Sequence, residues 1–223
     1  MNPSMPGQLL VMAKAPVPGQ VKSRLCPPCK PRQAAELAAA ALADTLAAVG
    51  ATAARRRVLV LAGELFDAAD GFDVVPQRGD GLGARLAAAF ADTAADGTPS
   101  FVVGGDTPQL AAPLLTAALH RLDAAEAVLG LVVDGGFWGL GLRDPRHAEV
   151  LRDVPMSTPE TGRLTLAALT ARGLRVAALP VLRDVDTIAD AVAVARQIPG
   201  SRFAAALARL GPQMINGQPR PAP

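Results

Sequence analysis

The chain contains no tyrosine and one tryptophan, and aromatic residues make up only 3% of its 223 residues. Proteins that hold single-stranded nucleic acid stack its bases on aromatic side chains, so this composition argues against such a platform. Histidine occurs twice, at His120 and His147, each in or beside a stretch that reads as a surface helix. A histidine base or a catalytic triad therefore has little support. There is no G-x-S-x-G elbow, no Walker A run and no G-x-G-x-x-G after the first strand candidate. Long basic runs are also missing, and the net charge is +2, which argues against binding nucleic acid through its phosphates. No apolar stretch approaches membrane-spanning length, and "QLLVMA" is shorter than a signal-peptide core, with no cleavage pattern after it. The expectation is a cytoplasmic protein with no membrane insertion. The two cysteines, Cys26 and Cys29, form "CPPC". Zinc wants four ligands, and a redox C-x-x-C usually opens a helix, so the pair reads as reduced, incidental thiols.

What the chain does have is apolar material. Hydrophobic residues make up 50%, enough to bury one core over residues 1–210. Short apolar runs at 9–13, 57–62, 72–76, 101–105, 127–132, 137–142 and 175–181 read as strands. Between and after them, 32–49, 83–95, 113–122, 160–173, 187–197 and 201–210 read as amphipathic helices. This alternation predicts an α/β fold, a mostly parallel open sheet covered by helices on both faces and mixed around 127–142, where no helix intervenes. The Pro-rich stretch 211–223 is expected to be a disordered tail.

Ligands of open α/β sheets bind beyond the carboxyl ends of the strands, so the residues there are the candidates. After the first strand come Ala13, Lys14, Pro16, Pro18, Gly19, Lys22 and Arg24: prolines and a glycine to bend a loop, cations to meet an anion. After the third comes "QRGDGLGARL", with Gln77, Gly81, Gly83 and Arg85. It reads equally as a nucleotide-binding helix start or as a tight turn closed by glycines. "GGDTPQL" places Gly105 and Asp106 at the mouth of the fourth strand, where Asp106 is either a site carboxylate or a helix cap. "LRDVDTIADA" offers Asp184 and Asp186; Asp186 could contribute to capping the next helix, but two acidic strand ends on one rim are also what a hard cation takes. "VVDGGFWGLGL" adds Asp134, Gly135, Gly136 and Trp138, which a plain hairpin would also explain. "PMSTPETGRL" adds Ser157 and Thr158, for which a capping box with Glu160 is the structural reading. Chemistry done by cations and a metal on phosphates is what remains, and phosphoryl or nucleotidyl transfer fits it.

"KAPVPGQVKSRL", "QRGDGLGARL", "GGDTPQL", "VDGGFWGLGL", "MSTPETGRLTL" and "DVDT" stand here in an order that resembles the DUF2064 family, from about Leu9 to about Ala195. That family, also called rSAM/selenodomain-associated transferase 1 and often labelled glycosyltransferase, falls among the GT-A-fold nucleotide-diphospho-sugar transferases. The resemblance implies a single-domain, Rossmann-like GT-A sheet. It implies that the basic loop, Lys22 and Arg24 above all, grips a nucleotide's phosphates; the glycine-rich segment at 77–85 is placed with that loop as a candidate part of the nucleotide site. It further implies that Asp106 and Asp186 hold Mg²⁺ (or Mn²⁺), and that Asp134, Gly135 and Gly136 face the acceptor, with Trp138, Ser157 and Thr158 beside them. Where the family shows G-P-x-x-D-G-G-Y-Y, this chain has "GLVVDGGFW", so the aromatic hydroxyls are lost at Phe137 and Trp138. Met156 stands where a Trp commonly precedes the Ser-Thr pair.

The partners implied are a nucleotide, either an NTP or an NDP-sugar, and a small-molecule acceptor; a homodimer is compatible with this reading. A GT-A glycosyltransferase usually carries D-x-D after the central strand, whereas this chain has one Asp there. A K-x-R loop best serves a triphosphate that releases pyrophosphate. The reading favours NMP transfer from an NTP to a small phosphorylated or sugar-like acceptor. Sugar transfer from an NDP-sugar and a non-catalytic nucleotide-binding role are the alternatives.

Overall fold

A computed structural model describes residues 7–65 and 70–211. Seven strands form one sheet: β1 (Gln8–Lys14), β2 (Arg56–Ala62), β3 (Asp73–Pro76), β4 (Ser100–Gly104), β5 (Ala127–Leu131), β6 (Phe137–Leu142) and β7 (Val176–Ala178). Their order is β3-β2-β1-β4-β6-β5-β7. Every pair is parallel except those made by β6, which runs against β4 and β5. The five residues between β5 and β6 are too few for a crossover helix, so the pair forms a hairpin and the sheet is mixed there, as the sequence implied.

Alternation along the central strands gives each face its own core. Leu9, Val11, Leu59, Leu61, Phe101 and Val103 pack on one face, and Leu10, Met12, Val58, Val60 and Val102 on the other. Both faces of β1 are buried, which is why its sequence is continuously apolar rather than alternating. In β6, the alternation is between glycine and bulk. A Cβ at Gly139 would stand 2.6 Å from the Phe101 ring, and one at Gly141 2.6 Å from Val128, so the bare positions make room for neighbouring side chains.

The helices are α1 (Pro31–Gly50), α2 (Gly81–Thr93), α3 (Ala112–Arg121), α4 (Thr161–Ala171), α5 (Ile188–Gln197) and α6 (Arg202–Arg209). A 3₁₀ stretch over Pro145–Asp153, packed on α2, was not anticipated from sequence. Its buried face recurs every third residue, at Pro145, Ala148 and Leu151, which is the 3₁₀ repeat and falls between the periods of 3.6 and 2 that mark helices and strands. β7 is shorter than the run 175–181 predicted, because the pairing with β5 slips by one residue past Leu179: Leu179 N–H donates to the Leu129 carbonyl, but Leu182 N–H, not that of Val181, donates to the Leu131 carbonyl. A third core joins α1, α5 and α6 around Leu37, Val194 and Phe203, and takes in Leu25 and Cys29. Both cysteines are free. No helix among the described residues is long and apolar enough to cross a membrane. The expected tail from 212 onward lies outside the described residues.

Candidate active site

Strand order reverses between β1 and β4, since β2 lies on one side of β1 and β4 on the other. At their carboxyl ends the two following loops must part, and a cleft opens there. It encloses about 770 Å³, within the range of small-molecule sites and roomy enough for a nucleotide with a second substrate.

The basic loop after β1 is anchored at two points. Ala15 donates its N–H to Ala62 at one end, and Leu25, fully buried in the third core, fixes the other. Between them Gly19 turns with φ 80°, and Lys22 holds a left-handed backbone at φ 49°, ψ 43° ahead of a short 3₁₀ turn over Ser23–Leu25. The anchoring of Leu25 leaves Lys22 and Arg24 on the rim.

Asp106 reaches the same rim through its two preceding glycines. A Cβ at Gly104 would lie 2.6 Å from Asp106 Oδ1, and one at Gly105 would crowd Leu42 at 3.0 Å and Ala13 at 3.3 Å. A side chain at Gly104 would displace the Asp106 carboxylate, and one at Gly105 would press on the core beneath it. Helix α3 starts at Ala112 with Ala111 as its N-cap, so Asp106 is not a helix cap. The segment after β7 is tied to it twice: Val185 N–H donates to the Asp106 carbonyl at 3.3 Å, and the Gln109 amide donates to the Arg183 carbonyl. These ties bring Asp184 and Asp186 to Asp106 across some eighty residues of chain. Capping of α5 is done by Thr187, whose hydroxyl accepts from Asp190 N–H at 3.2 Å while Asp190 accepts from Thr187 N–H at 3.0 Å. Asp186 is thereby left for other work.

Carboxylate oxygens of Asp106, Asp184 and Asp186 all lie within 4.8 Å of one another. Lys22 Nζ donates to Asp106 Oδ2 at 2.9 Å and to Asp186 Oδ1 at 3.2 Å, and Arg24 Nη1 to Asp186 Oδ2 at 2.8 Å. Burial would lower the Lys22 pKa, but the two carboxylates outweigh it and hold the ammonium above its ordinary value. For Asp106, burial pushes upward and is outweighed by Lys22, leaving the group below the usual range. Asp184 has no such partner: burial, and then repulsion from Asp106, Asp134 and Asp186, push it up to about 7. Three carboxylates against one ammonium and one guanidinium leave the cluster short of positive charge.

The structure brings many of the sequence candidates together and separates others. Ala13, Lys14, Lys22, Arg24, Gly105, Asp106, Asp134, Gly136, Trp138, Ser157, Thr158 and Asp186 line the cleft. Asp184, noted in the sequence but not assigned to the metal, joins them; its place in the D-x-D of "DVDT" was the available signal. Pro16 and Gly19 shape the loop without lining the cleft.

The glycine-rich segment at 77–85 requires a correction. Gln77 spends its amide on the carbonyls of Ala13 at 2.9 Å and Val60 at 3.0 Å, pinning β1 to β2. Gly83 admits Leu151, whose carbonyl oxygen would be 2.2 Å from a Cβ, and Arg85 donates to the Gly79 carbonyl at 3.1 Å. Neither Gln77, Gly81, Gly83 nor Arg85 lines the cleft; Leu82 and Leu86 of the same helix do.

Three smaller corrections follow. Gly135 (φ 94°) is a packing residue, since a Cβ there would stand 1.9 Å from the Pro159 carbonyl oxygen. Trp138 is 2% exposed and donates its indole N–H to the Pro180 carbonyl at 2.9 Å, so it floors the cleft from within the core. The capping box at Ser157–Glu160 does not form: Glu160 is itself the N-cap residue, and Thr158 pairs with Thr161 instead. On the basic loop, the Lys22 side chain is only 13% exposed because Asp106 and Asp186 draw it in, whereas that of Arg24 is 65% exposed.

The fold is of the GT-A, Rossmann-like kind, and the chain belongs to the DUF2064 family, described as an uncharacterized protein conserved in bacteria. The family match covers residues 33–158, more than half of the chain, and includes Asp106 and the stretch from Asp134 to Thr158 but neither the basic loop nor Asp184 and Asp186. No curated protein matches the sequence. Among solved structures, the chain is similar to a provisionally assigned nucleotide-diphospho-sugar transferase from Desulfovibrio desulfuricans G20, at 24% identity and TM-score 0.84 over 94% of this chain and 96% of that one. It is also similar to Rv0371c from Mycobacterium tuberculosis H37Rv solved in complex with manganese, at 22% identity and TM-score 0.52 over 84% and 97%. A third similarity is to CMP:2-keto-3-deoxy-manno-octonic acid synthetase complexed with CTP, at 13% identity and TM-score 0.57 over 86% and 98%.

Proposed function

We propose that this protein is a metal-dependent, nucleotide-dependent transferase of the cytoplasm, and specifically a nucleotidyltransferase that moves NMP from an NTP to a small acceptor and releases pyrophosphate. The observation that carries the reading is the convergence of three carboxylates and two cations in one cleft at the switch point of the sheet. The carboxylate-only donor set suits a hard cation such as Mg²⁺ or Mn²⁺, and the cluster's deficit of positive charge suits an added one. Asp106 and Asp186, with Asp184 beside them, would hold it. When bound, such an ion neutralises phosphate charge and supplies Lewis-acid stabilisation of the transferring group.

Arg24 meets the incoming phosphates with its guanidinium, and Lys22 stabilises charge that develops on the pyrophosphate leaving group. Lys14, exposed at the end of β1, adds a third cation on the same side. The acceptor lies against Asp134, whose carboxylate accepts from Gly136 N–H at 3.0 Å and is thus fixed in direction, with Ser157 and Thr158 opposite. Phe137 and Met156 give the cleft an apolar wall on the same side.

Sugar transfer from an NDP-sugar is the second reading, favoured by the likeness to the Desulfovibrio protein. A thermal-shift screen of NTPs and NDP-sugars with Mg²⁺ separates the two. A ligand at a hundredfold excess over its Kd stabilises the fold by about 2.7 kcal/mol, a shift easily read. Stabilisation by an NTP alone supports nucleotidyl transfer, stabilisation by an NDP-sugar alone supports sugar transfer, and no shift with either sinks both.

A further inference from the structure

Lys22 raises a question that the phosphate-clamp role leaves open. Its ammonium does not wait in solvent for a ligand. It sits between Asp106 and Asp186, two of the three carboxylates that could hold a metal ion, at 2.9 and 3.2 Å. A divalent ion drawn to the same carboxylates would stand within a few ångström of the ammonium, and in a partly buried site two cations that close repel strongly. The two cations are therefore alternatives.

We propose that Lys22 is a resident counter-ion that keeps the metal position closed, so that the cleft accepts its metal as a metal–polyphosphate chelate and not as a free ion. This rests on the reading of the site given above and names the form in which its substrate enters. A free ion must evict Lys22 and strand its ammonium in a place where only 13% of the side chain reaches solvent. A chelate brings phosphate oxygens with it, so Lys22 exchanges two carboxylates for phosphate and never goes unpaired. Arg24, 65% exposed and held by Asp186 alone, is the group that an arriving polyphosphate meets first.

The backbone fits a residue that changes partners. Lys22 and Ser157 are the non-glycine residues with positive φ among those described, and both line the cleft. A left-handed lysine is an uphill conformation that persists only where its surroundings impose it, and here Leu25 N–H holds the Lys22 carbonyl at 3.0 Å while the two carboxylates hold the ammonium. Gly19, whose surroundings are open, lies three residues upstream and lets the loop adjust without moving the buried Leu25. Metal and polyphosphate affinities are then coupled, each raising the other by the same factor.

Mn²⁺ alone, titrated into the full-length protein and counted by electron paramagnetic resonance, reads this directly. Lys22→Met is expected to bind Mn²⁺ at least tenfold more tightly than the wild type in the absence of any nucleotide. Adding Asp186→Asn to Lys22→Met should abolish that gain and so place the ion on the carboxylates. Equal or weaker affinity in Lys22→Met overturns the counter-ion role while leaving the metal site standing; no Mn²⁺ binding in Lys22→Met at millimolar concentration overturns the metal site as well. Should Lys22→Met not fold, the wild type gives a second readout, acetylation of Lys22 followed by mass spectrometry. Mn²⁺ alone should leave Lys22 as protected as in metal-free protein, and exposure of Lys22 by Mn²⁺ without polyphosphate refutes the proposal.

Discussion

The two ends of the sheet each carry a cluster of acidic and basic side chains, and the clusters differ in which charge is in excess. At the end away from the cleft, Glu126 before β5 accepts from Arg175 Nε at 3.0 Å and Nη2 at 2.8 Å, with Arg143 Nη1 at 3.5 Å. One carboxylate there has two guanidiniums, and Arg175 holds Glu126 down to about 2. At the cleft end, three carboxylates share one ammonium and one guanidinium, and Asp184 is driven up to about 7. The far cluster is saturated and asks for nothing. The near one is partly buried and short of positive charge, an arrangement that costs stability unless a ligand completes it. An ion pair becomes evidence of function through its imbalance and burial, not through its existence.

The sharpest way to break this comparison is at Asp186. Asp186→Asn keeps the shape and removes a charge, and Thr187 continues to cap α5 in its absence. Turnover should fall by about a hundredfold or more with the melting temperature little changed, and Asp106→Asn should behave alike. The double variant should lose less than the sum of the two, since both serve one ion. Wild-type Mn²⁺ affinity in Asp186→Asn would remove the distinction between the two clusters.

Arg24→Ala should have an intermediate effect. Its guanidinium is mostly exposed, so the melting temperature should move little, by about 0.5 kcal/mol equivalent at most. Nucleotide affinity, measured by calorimetric titration with Mg²⁺, should drop about ten- to a hundredfold as one charge-assisted contact is lost. Unchanged affinity would return the loop to an ordinary turn.

Glu126→Gln tests the other side and should do least. Because the folded-state pKa lies below the ordinary value of 4.5, whatever Glu126 contributes is present above that value and is lost as pH falls toward about 2. The variant should bind nucleotide and metal as the wild type does, and any difference in melting temperature at pH 7 should shrink steadily as pH falls from about 4.5 toward 2. A loss of nucleotide binding in Glu126→Gln would show that the far cluster is not merely structural.

Much of this was legible in the chain. The apolar runs and Ala/Leu-rich segments fall on the observed elements with small shifts at their ends, because periodicity reports which faces are buried. The rule that open α/β sheets bind ligands at strand ends then turned local positions into a shared rim, which is how Lys22, Arg24, Asp106 and Asp186 could be named together without coordinates. Their residue types were informative because cations in a Pro/Gly loop and carboxylates at strand ends serve no packing purpose.

Other features were decided only by the tertiary structure. That Gln77 and Gly83 serve strand and helix packing depends on what stands opposite them, the carbonyls of Ala13, Val60 and Leu151, and no local pattern encodes that. Trp138 is buried because Gly130, eight residues earlier, leaves room for its indole once β5 and β6 pair. Asp184 becomes a member of the cluster only when Val185 and Gln109 tie its segment to the end of β4. Lys22 reads in sequence as a free cation and is, in the fold, a half-committed one. The chain fixes which side chains carry charge; only folding sets the distances and the burial that decide which charges meet and which are left wanting a partner.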